Sequence, residues 1–366
     1  MIPYGRQSID DDDVAAVVQV LKGDWLTQGP HVAEFEEALA ARVGARFAVA
    51  FANGTAALHA AAAAGGLGPG DTVAVSPLSF VASANCARYV GASVVFGETD
   101  PATLNLDLAT VPPAVDGLVV VHYAGRPVDL APLAAPAAPA APAALGRRPR
   151  VVIEDACHAL GATTPDGPVG NCARSDMCVF SFHPAKAITT GEGGAVTTND
   201  PGLAGALRRF RNHGIVPQGG WEYDVESHGW NYRMTDLQAA LGASQLGKLD
   251  RFVARRRALA DRYRAALAGL PVELPPPEPG GFASGWHLFV VRVPDRRRVY
   301  EGMRAAGVGV QVHYVPIYRH SAFGAEDGSA YPHTEAAYAG LLSLPLFPDL
   351  TEAEQDAVVE RLAALL

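Results

Sequence analysis

The sequence contains few cysteines, and their spacing matches neither a metal site nor a redox pair. The four cysteines are Cys86, Cys157, Cys172 and Cys178, and no two of them form a Cys-x-x-Cys motif. A zinc site or a thioredoxin-like motif is therefore not expected, and we predict no bound metal. Because the N-terminus lacks the apolar stretch of a secretion signal, we interpret the cysteines as reduced thiols of a cytoplasmic protein.

Long apolar runs and clusters of basic residues are also missing. No stretch of about twenty apolar residues occurs, so no helix is expected to span a membrane. The formal net charge is -9, and a nucleic-acid partner is not expected, because phosphate backbones require clustered Lys and Arg. A small anionic ligand stays compatible with this composition, since a local site can be positive on an acidic protein.

The length of 366 residues exceeds what one hydrophobic core usually supports, so two domains are expected. We place a large domain at residues 1–249 and a small domain at residues 250–366, because a long helical pattern and a Pro/Gly-rich hinge follow Leu249. An Ala/Pro-rich stretch at residues 131–144 is interpreted as an exposed insertion on the large domain.

Short apolar runs alternate with helix-like stretches in the large domain. The runs that we interpret as buried strands are residues 47–50, 73–75, 94–96, 118–121, 151–153 and 177–180. Continuous apolar strands with helical crossovers indicate an α/β fold with a mostly parallel sheet that is covered on both faces.

Helices and strands are also predicted outside this sheet. Ser8 is expected to cap a first helix that ends at Gly23, and Thr351 with Glu354 forms a capping box for the last helix. Apolar residues that recur at helical spacing support the first helix: Val14, Val17, Val18 and Leu21. Residues 308–314 are predicted to form a strand.

Two segments follow predicted strands and carry polar groups suited to a ligand. Gly54 makes a turn and Thr55 opens a helix, whose first N–H groups bind anions; an ordinary helix cap has the same pattern. Asp155 follows the strand at 151–153, with His158 three residues later. A carboxylate at this sheet edge can bond a protonated pyridine nitrogen, although a capping Asp beside a core His is the alternative.

Two further segments supply an amine and an anion-binding group. Lys186 lies among small and apolar residues after the strand at 177–180, and burial there lowers a lysine pKa and produces an amine nucleophile. Ser181 is placed to hold a phosphate oxygen. Asn231 and Arg233 precede a predicted helix start and are free to reach a phosphate or carboxylate, unless they are surface groups beside a cap.

These four segments, in this order, resemble the DegT/DnrJ/EryC1/StrS sugar aminotransferases, and the likeness runs from residues 24–30 to residues 343–348. The resemblance implies pyridoxal 5'-phosphate (PLP) and the fold type I of aspartate aminotransferase, with a seven-stranded, mostly parallel sheet and a small α+β C-terminal domain. It also implies that Lys186 bonds covalently to the cofactor and that Asp155 pairs with the pyridine nitrogen.

The same resemblance assigns the remaining cofactor contacts. It places His158 beside the phenolic oxygen, Phe80 against the ring, and Asn231 of a neighbouring subunit at the phosphate, which requires a homodimer with shared sites. Three residues of the same chain are implied as phosphate ligands: Gly54, Thr55 and Ser181. Asn53 stands where the family usually has Ser, so the phosphate cradle departs from the family pattern in one detail.

One subgroup is closer, the transaminases of the pseudaminic acid pathway, on residues 4–10, 181–184, 188–194, 211–214 and 310–316. It implies transfer from L-glutamate to C4 of a UDP-linked 4-keto-6-deoxy-N-acetyl-hexose, giving UDP-4-amino-4,6-dideoxy-N-acetyl-β-L-altrosamine by ping-pong kinetics through pyridoxamine phosphate. The residues expected to contact substrates are Tyr4, Thr27, His183, Arg233, His313 and Tyr314, with Arg6 as a second candidate for the donor carboxylate.

Several alternatives stay open within and outside this fold. Other transaminases of the group act on GDP- or dTDP-linked sugars or on a UDP-pentose. Sister dehydratases carry His where this chain has Lys186. A PLP-binding regulator would need a DNA-binding segment, which is not visible. A nucleotide-sugar oxidoreductase would need a Gly-x-Gly-x-x-Gly fingerprint, but residues 52–56 read Ala-Asn-Gly-Thr-Ala.

Overall fold

A computed structural model describes residues 1–133 and 148–366 of the chain. Most of the insertion predicted at 131–144 therefore lies outside the described residues. Its first three residues, Ala131–Leu133, form a single 3-10 turn.

The described residues form α-helices, short 3-10 helices and β-strands. The α-helices are α1 (Asp11–Lys22), α2 (Pro30–Val43), α3 (Gly54–Ala64), α4 (Ala82–Tyr89), α5 (Pro201–Arg211), α6 (Asp236–Leu246), α7 (Leu249–Ala266), α8 (Arg296–Ala305), α9 (Pro332–Gly340) and α10 (Glu352–Ala363). The strands are β1 (Phe47–Phe51), β2 (Thr72–Val75), β3 (Ser93–Phe96), β4 (Gly117–Val121), β5 (Val151–Asp155), β6 (Thr163–Thr164), β7 (Gly167–Pro168), β8 (Met177–Ser181), β9 (Gly194–Thr198), β10 (Ile215–Gly219), β11 (Glu222–Val225), β12 (Phe289–Arg292) and β13 (Leu341–Leu344). Further 3-10 helices span Leu108–Thr110, Tyr123–Gly125, Ile317–Arg319 and Ser321–Phe323.

The main sheet has seven strands in the order β1-β9-β8-β5-β4-β2-β3. Neighbouring strands from β8 to β3 are parallel, and β9 is antiparallel to both β8 and β1. The predicted α/β fold with a mostly parallel seven-stranded sheet is therefore confirmed.

Both faces of this sheet are covered by helices, because successive side chains of β1 pack in two different cores. Val49 and Phe51 pack in one core with residues of α3, including Leu58. Ala48 and Ala50 pack in the opposite core with residues of α2 and α6. Because successive side chains of a strand point to opposite faces, an entirely apolar strand such as β1 needs a helix on each side.

The strand directions bring the ligand-type residues to one edge. Strands β5 and β8 are parallel, and β1 runs with them because both β1 and β8 are antiparallel to β9. The carboxyl ends of the three strands, at Phe51, Asp155 and Ser181, therefore meet at the same edge, where ligands bind in open α/β sheets.

A third core lies in the C-terminal part of the chain. The buried side chains of α7, α8 and α10 surround the two-stranded sheet of β12 and β13. The N-terminal residues join this part, because Ile2 pairs with Val308 and the carbonyl of Tyr4 accepts the N–H of Leu346. Helix α7 begins at Leu249, and the division into domains at this point stays a prediction.

The predicted cap of the first helix is wrong. Its cap is Asp10, whose carboxylate accepts the N–H of Asp13, whereas Ser8 bonds to Asp349. The buried face of the helix carries Asp13 and Val20, because the Asp13 carboxylate accepts hydrogen bonds from α6. Three of the four apolar residues at helical spacing are exposed: Val14, Val18 and Leu21.

Of the other predictions outside the sheet, one is wrong and one is confirmed. Residues 308–314 are not a regular strand and pair only through isolated bridges at Val308 and Gln311. The capping box of Thr351 and Glu354 at the start of α10 is confirmed. Within the described residues, no helix combines the length and apolar character that crossing a membrane requires.

Candidate active site

A cavity of about 950 Å³ opens at the carboxyl edge of the main sheet. It collects most of the residues that the sequence singled out. Those that line it are Tyr4, Gly54, Thr55, Phe80, Asp155, His158, Ser181, His183, Lys186, His313 and Tyr314.

One end of the cavity is formed by the start of α3. Asn53 caps this helix, and its side-chain oxygen accepts the N–H of Ala56 at 2.8 Å. The remaining N–H groups of the first helical turn lack partners within the helix and form an anion site. A Cβ atom at Gly54 would lie 2.9 Å from Cβ of Ser181, so only glycine allows the helix start to approach the end of β8 this closely.

The carboxylate of Asp155 lies at the end of β5 and is 5% exposed. Its Oδ2 accepts the hydroxyl of Ser83 at 2.6 Å, and its Oδ1 accepts the N–H of Cys157 at 3.2 Å. A carboxylate has about four lone-pair positions, so two of them stay available for a donor from the cavity.

Lys186 lies in the loop after β8, where its backbone N–H donates to the carbonyl of His183 at 2.8 Å. Burial lowers the pKa of the Lys186 amine, while the nearby Cys157 and Asp155 oppose this shift. A lowered pKa increases the fraction of neutral amine at neutral pH, and the neutral amine is the nucleophile.

Histidines and a tyrosine form the opposite wall. Nε2 of His158 lies 3.1 Å from the hydroxyl of Tyr314, the rings of His158 and His287 are 4.3 Å apart, and Nδ1 of His313 lies 2.8 Å from Oγ of Ser343. Burial lowers the pKa of His158 and His287 well below the ordinary value. Burial, and then the charge of Lys186, lowers the pKa of His313 to about 4. These rings are therefore uncharged at neutral pH.

Three predicted site residues lie outside this cavity but close to one another. Thr27 pairs with Thr235, Asn231 pairs with Asn212, and Nη1 of Arg233 donates to the side chain of Asn212 at 2.7 Å. Arg233 lines a second cavity of about 340 Å³ with three other arginines: Arg208, Arg209 and Arg211. Among the described residues, no arginine lines the larger cavity.

The sequence did not reveal several residues in or next to the cavity. Ser83, Ser79 and His287 carry no motif signal, and only the fold brings them to Asp155 and His158. Aromatic residues that line the cavity near His59 of α3 were also missed: Tyr89, Trp230 and Tyr232. The helical spacing of Ser79 and Ser83 is the one signal that could have linked this pair.

The arrangement fits pyridoxal phosphate. The start of α3 and the Ser181 hydroxyl provide a phosphate cradle that a Cβ at Gly54 would fill. Asp155 is an acceptor for a protonated ring nitrogen, and Lys186 is an amine of lowered pKa for an aldehyde. The three groups line one cavity, as a ring with a phosphate arm requires.

Comparison with known proteins agrees with this interpretation. SpsC, a spore coat polysaccharide biosynthesis protein of Bacillus subtilis, is 35% identical over 98% of this chain and 95% of its own. PseC of Helicobacter pylori, an aminotransferase of pseudaminic acid biosynthesis, has a TM-score of 0.90 at 28% identity, covering 100% of this chain and 98% of its own. Spr1654 of Streptococcus pneumoniae, a putative sugar aminotransferase in its PLP form, has a TM-score of 0.90 at 27% identity, covering 100% and 98%.

The model of one family matches residues 7–363, which is nearly the whole chain. Its members use PLP, and similar structures are solved in PLP and pyridoxamine phosphate forms. With Lys186 and Asp155 in one cavity of the expected fold, the chain is a PLP-dependent sugar aminotransferase and belongs to the DegT/DnrJ/EryC1/StrS aminotransferase family.

Proposed function

We propose that the enzyme moves an amino group from L-glutamate to C4 of a UDP-linked 4-keto-6-deoxy-N-acetyl-hexose. The observation that carries this proposal is one open cavity of about 950 Å³ that holds Lys186 and Asp155 with room beyond the cofactor for an extended substrate. The segments that resemble the pseudaminic acid transaminases contribute Tyr4, His313 and Tyr314 to its wall. The overall similarity to PseC supports the same substrate class.

The bound cofactor supplies an aldehyde and an electron-withdrawing ring. Lys186 would hold the cofactor through its amine and, as a neutral base of lowered pKa, would move a proton at the alpha carbon of the donor. Asp155 keeps the ring nitrogen protonated, and the first turn of α3 holds the phosphate. The neutral ring of His158 provides a hydrogen-bond partner that adds no charge beside the cofactor.

We further propose a homodimer in which each active site takes residues from both subunits. Asn231 is exposed and does not line the cavity of its own chain, although its neighbour Trp230 does. Trp230 and Tyr89 are 50% and 51% exposed at the edge of this cavity, an aromatic surface that a second subunit would cover. Asn231, Thr27 and Arg233 would then serve the partner's cavity, which lacks an arginine among the described residues.

The domain division at 249/250 and a cytoplasmic location belong to the same proposal. A separate core in the C-terminal part, which includes Leu259 and Tyr263 of α7, supports a division, whereas Phe252 and Val253 near the start of this helix pack in a core of the main sheet. The four unpaired cysteines are compatible with a reducing compartment.

The substrate is tested by incubating the enzyme with PLP, L-glutamate and a panel of UDP-, GDP- and dTDP-linked keto sugars. We expect amination of the UDP-linked 4-keto-6-deoxy-N-acetyl sugar, with 2-oxoglutarate released in equal amount. The Lys186→Ala variant is the control and should give no catalytic turnover. Amination of only GDP- or dTDP-linked sugars would reject the proposed substrate but keep the enzyme class.

The shared site is tested by mixing two inactive variants, Lys186→Ala and Asn231→Ala. If each site combines Lys186 of one subunit with Asn231 of the other, a mixed dimer contains one intact site. Random exchange of subunits should then restore about a quarter of the wild-type activity. A mixture that stays inactive although mass spectrometry shows mixed dimers would contradict the shared site.

A second candidate substrate is another nucleotide-linked keto sugar. The identity of 35% to SpsC, against 28% to PseC, favours a sugar of a polysaccharide pathway. The same panel of keto sugars decides between the two candidates.

A further inference from the structure

A chain of two hydroxyl groups leads from the cavity wall at Ser79 to the Asp155 carboxylate. Oγ of Ser79 lies 2.7 Å from Oγ of Ser83, and Oγ of Ser83 lies 2.6 Å from Oδ2 of Asp155. The three residues are 4%, 0% and 5% exposed, so water does not compete for these bonds. Neither serine was part of the site that the sequence predicted.

The direction of the chain follows from counting hydrogens. An ionised carboxylate only accepts hydrogen bonds, so Ser83 must donate its single hydroxyl hydrogen to Asp155. Ser83 is then an acceptor toward Ser79, which donates to it. The carbonyl of Phe80 lies 3.1 Å from the same Ser83 oxygen, but the charged acceptor is closer and forms the stronger bond.

The Asp155 carboxylate is held through both of its oxygens. Within the described part of the chain, the Ser83 hydroxyl and the Cys157 N–H donate to it, and the Cys157 side chain is a further hydrogen-bond partner. These bonds restrict rotation of the side chain, so its free lone pairs keep one direction.

We propose that Ser83, supported by Ser79, is a positioning residue that keeps the Asp155 carboxylate oriented toward the cofactor ring nitrogen. This inference rests on the proposed function, because it assumes that Asp155 binds that nitrogen. Ser83 also lies on α4, one turn after Phe80 at the cavity edge. The same bond therefore ties the start of α4 to the end of β5.

The test compares two ligands of the apoenzyme: PLP, and its 1-deaza analogue, which has a carbon in place of the ring nitrogen. We expect Ser83→Ala to weaken PLP binding at least about tenfold, while the affinity for the deaza analogue changes by less than about threefold. The reason is that only PLP has a ring nitrogen that can bond to the Asp155 carboxylate. A structural defect alone would weaken both ligands equally.

Ser76→Ala is the matched control. Ser76 is 1% exposed, and its hydroxyl has no hydrogen-bond partner among the described residues, so its removal should change the affinity for neither ligand. Ser83→Cys keeps the side-chain volume and a weak donor and should fall between Ser83→Ala and the wild type. If Ser83→Ala does not fold, Ser79→Ala provides the same comparison, with a smaller loss for PLP.

The outcomes separate this inference from the proposed function. Equal loss of both ligands, or no loss of PLP affinity in Ser83→Ala, would refute the positioning role while the wild type still binds PLP. A wild-type apoenzyme that binds PLP and its deaza analogue equally well would reject the assumed Asp155 contact, and the inference with it.

Discussion

Replacing Gly54 with alanine is expected to weaken PLP binding through the phosphate group. The added Cβ would lie 2.9 Å from Cβ and 3.2 Å from Oγ of Ser181, and 3.4 Å from Sγ of Cys157. The first two distances are too short for relaxed contacts, so the start of α3 and the end of β8 must separate. Both elements carry the proposed phosphate ligands, and the separation would enlarge the proposed cradle.

The effect on stability has two parts of opposite sign. Overpacking a dense core costs about 1–3 kcal/mol, whereas alanine in place of glycine at a helical position stabilises by up to about 1 kcal/mol. We expect the Gly54→Ala apoenzyme to lose about 1–2 kcal/mol of unfolding free energy, measured by urea denaturation. Gly205→Ala in α5 is the control, because its Cβ would meet only the flexible end of Arg209 at 3.4 Å.

The decisive assay compares PLP with pyridoxal, which lacks the phosphate. Gly54→Ala should lower the affinity for PLP about tenfold or more and leave that for pyridoxal nearly unchanged, since the altered contacts bind only the phosphate. Gly205→Ala should change neither affinity. Equal losses for both ligands, or an unchanged affinity for PLP, would refute the assignment of the α3 start as the phosphate cradle.

Three further predictions follow from charges and caps. Because burial lowers the pKa of Lys186, its acetylation in the apoenzyme should have a pH midpoint below about 10.4, the pKa of a free lysine. The acetylation is followed by mass spectrometry across pH. A midpoint at or above this value would contradict the buried site. In the folded protein the pKa of His313 is about 4, which is below its ordinary value of 6.5. As the pH falls, the unfolded chain therefore binds a proton at this histidine before the folded protein does. Stability should decrease between these two values by up to about 3 kcal/mol, and His313→Asn should reduce the slope of unfolding free energy against pH. Asp10→Ala should lower the unfolding free energy measurably, since it removes the α1 cap and the ion pair with Lys248. Ser8→Ala should have a much smaller effect in the same denaturation experiment, and equal losses would contradict the revised cap.

Much of the fold could be predicted because the buried strands are apolar along their whole length. The strand at 151–153 and the lysine loop after β8 were recognisable since a parallel sheet places whatever follows its strands at one edge. This rule predicts that Asp155, Ser181 and Lys186 lie together, and all three line one cavity. In the first helix, the apolar spacing indicates a helix but does not show which of its sides contacts the rest of the protein. Asp13 is buried there by contacts with Ser244, Gln245 and Lys248 of distant sequence.

The sequence alone determined the sheet, the order of the chemical segments and the amine proposed to bond the cofactor, because these depend on local patterns and on strand direction. Only the tertiary structure decided which neighbouring side chains contact Asp155 and His158. Ser83 reaches Asp155 from a position 72 residues away, and His287 packs against His158 from another part of the chain. Such contacts join residues that are remote along the chain, and no local spacing encodes their distance or their burial.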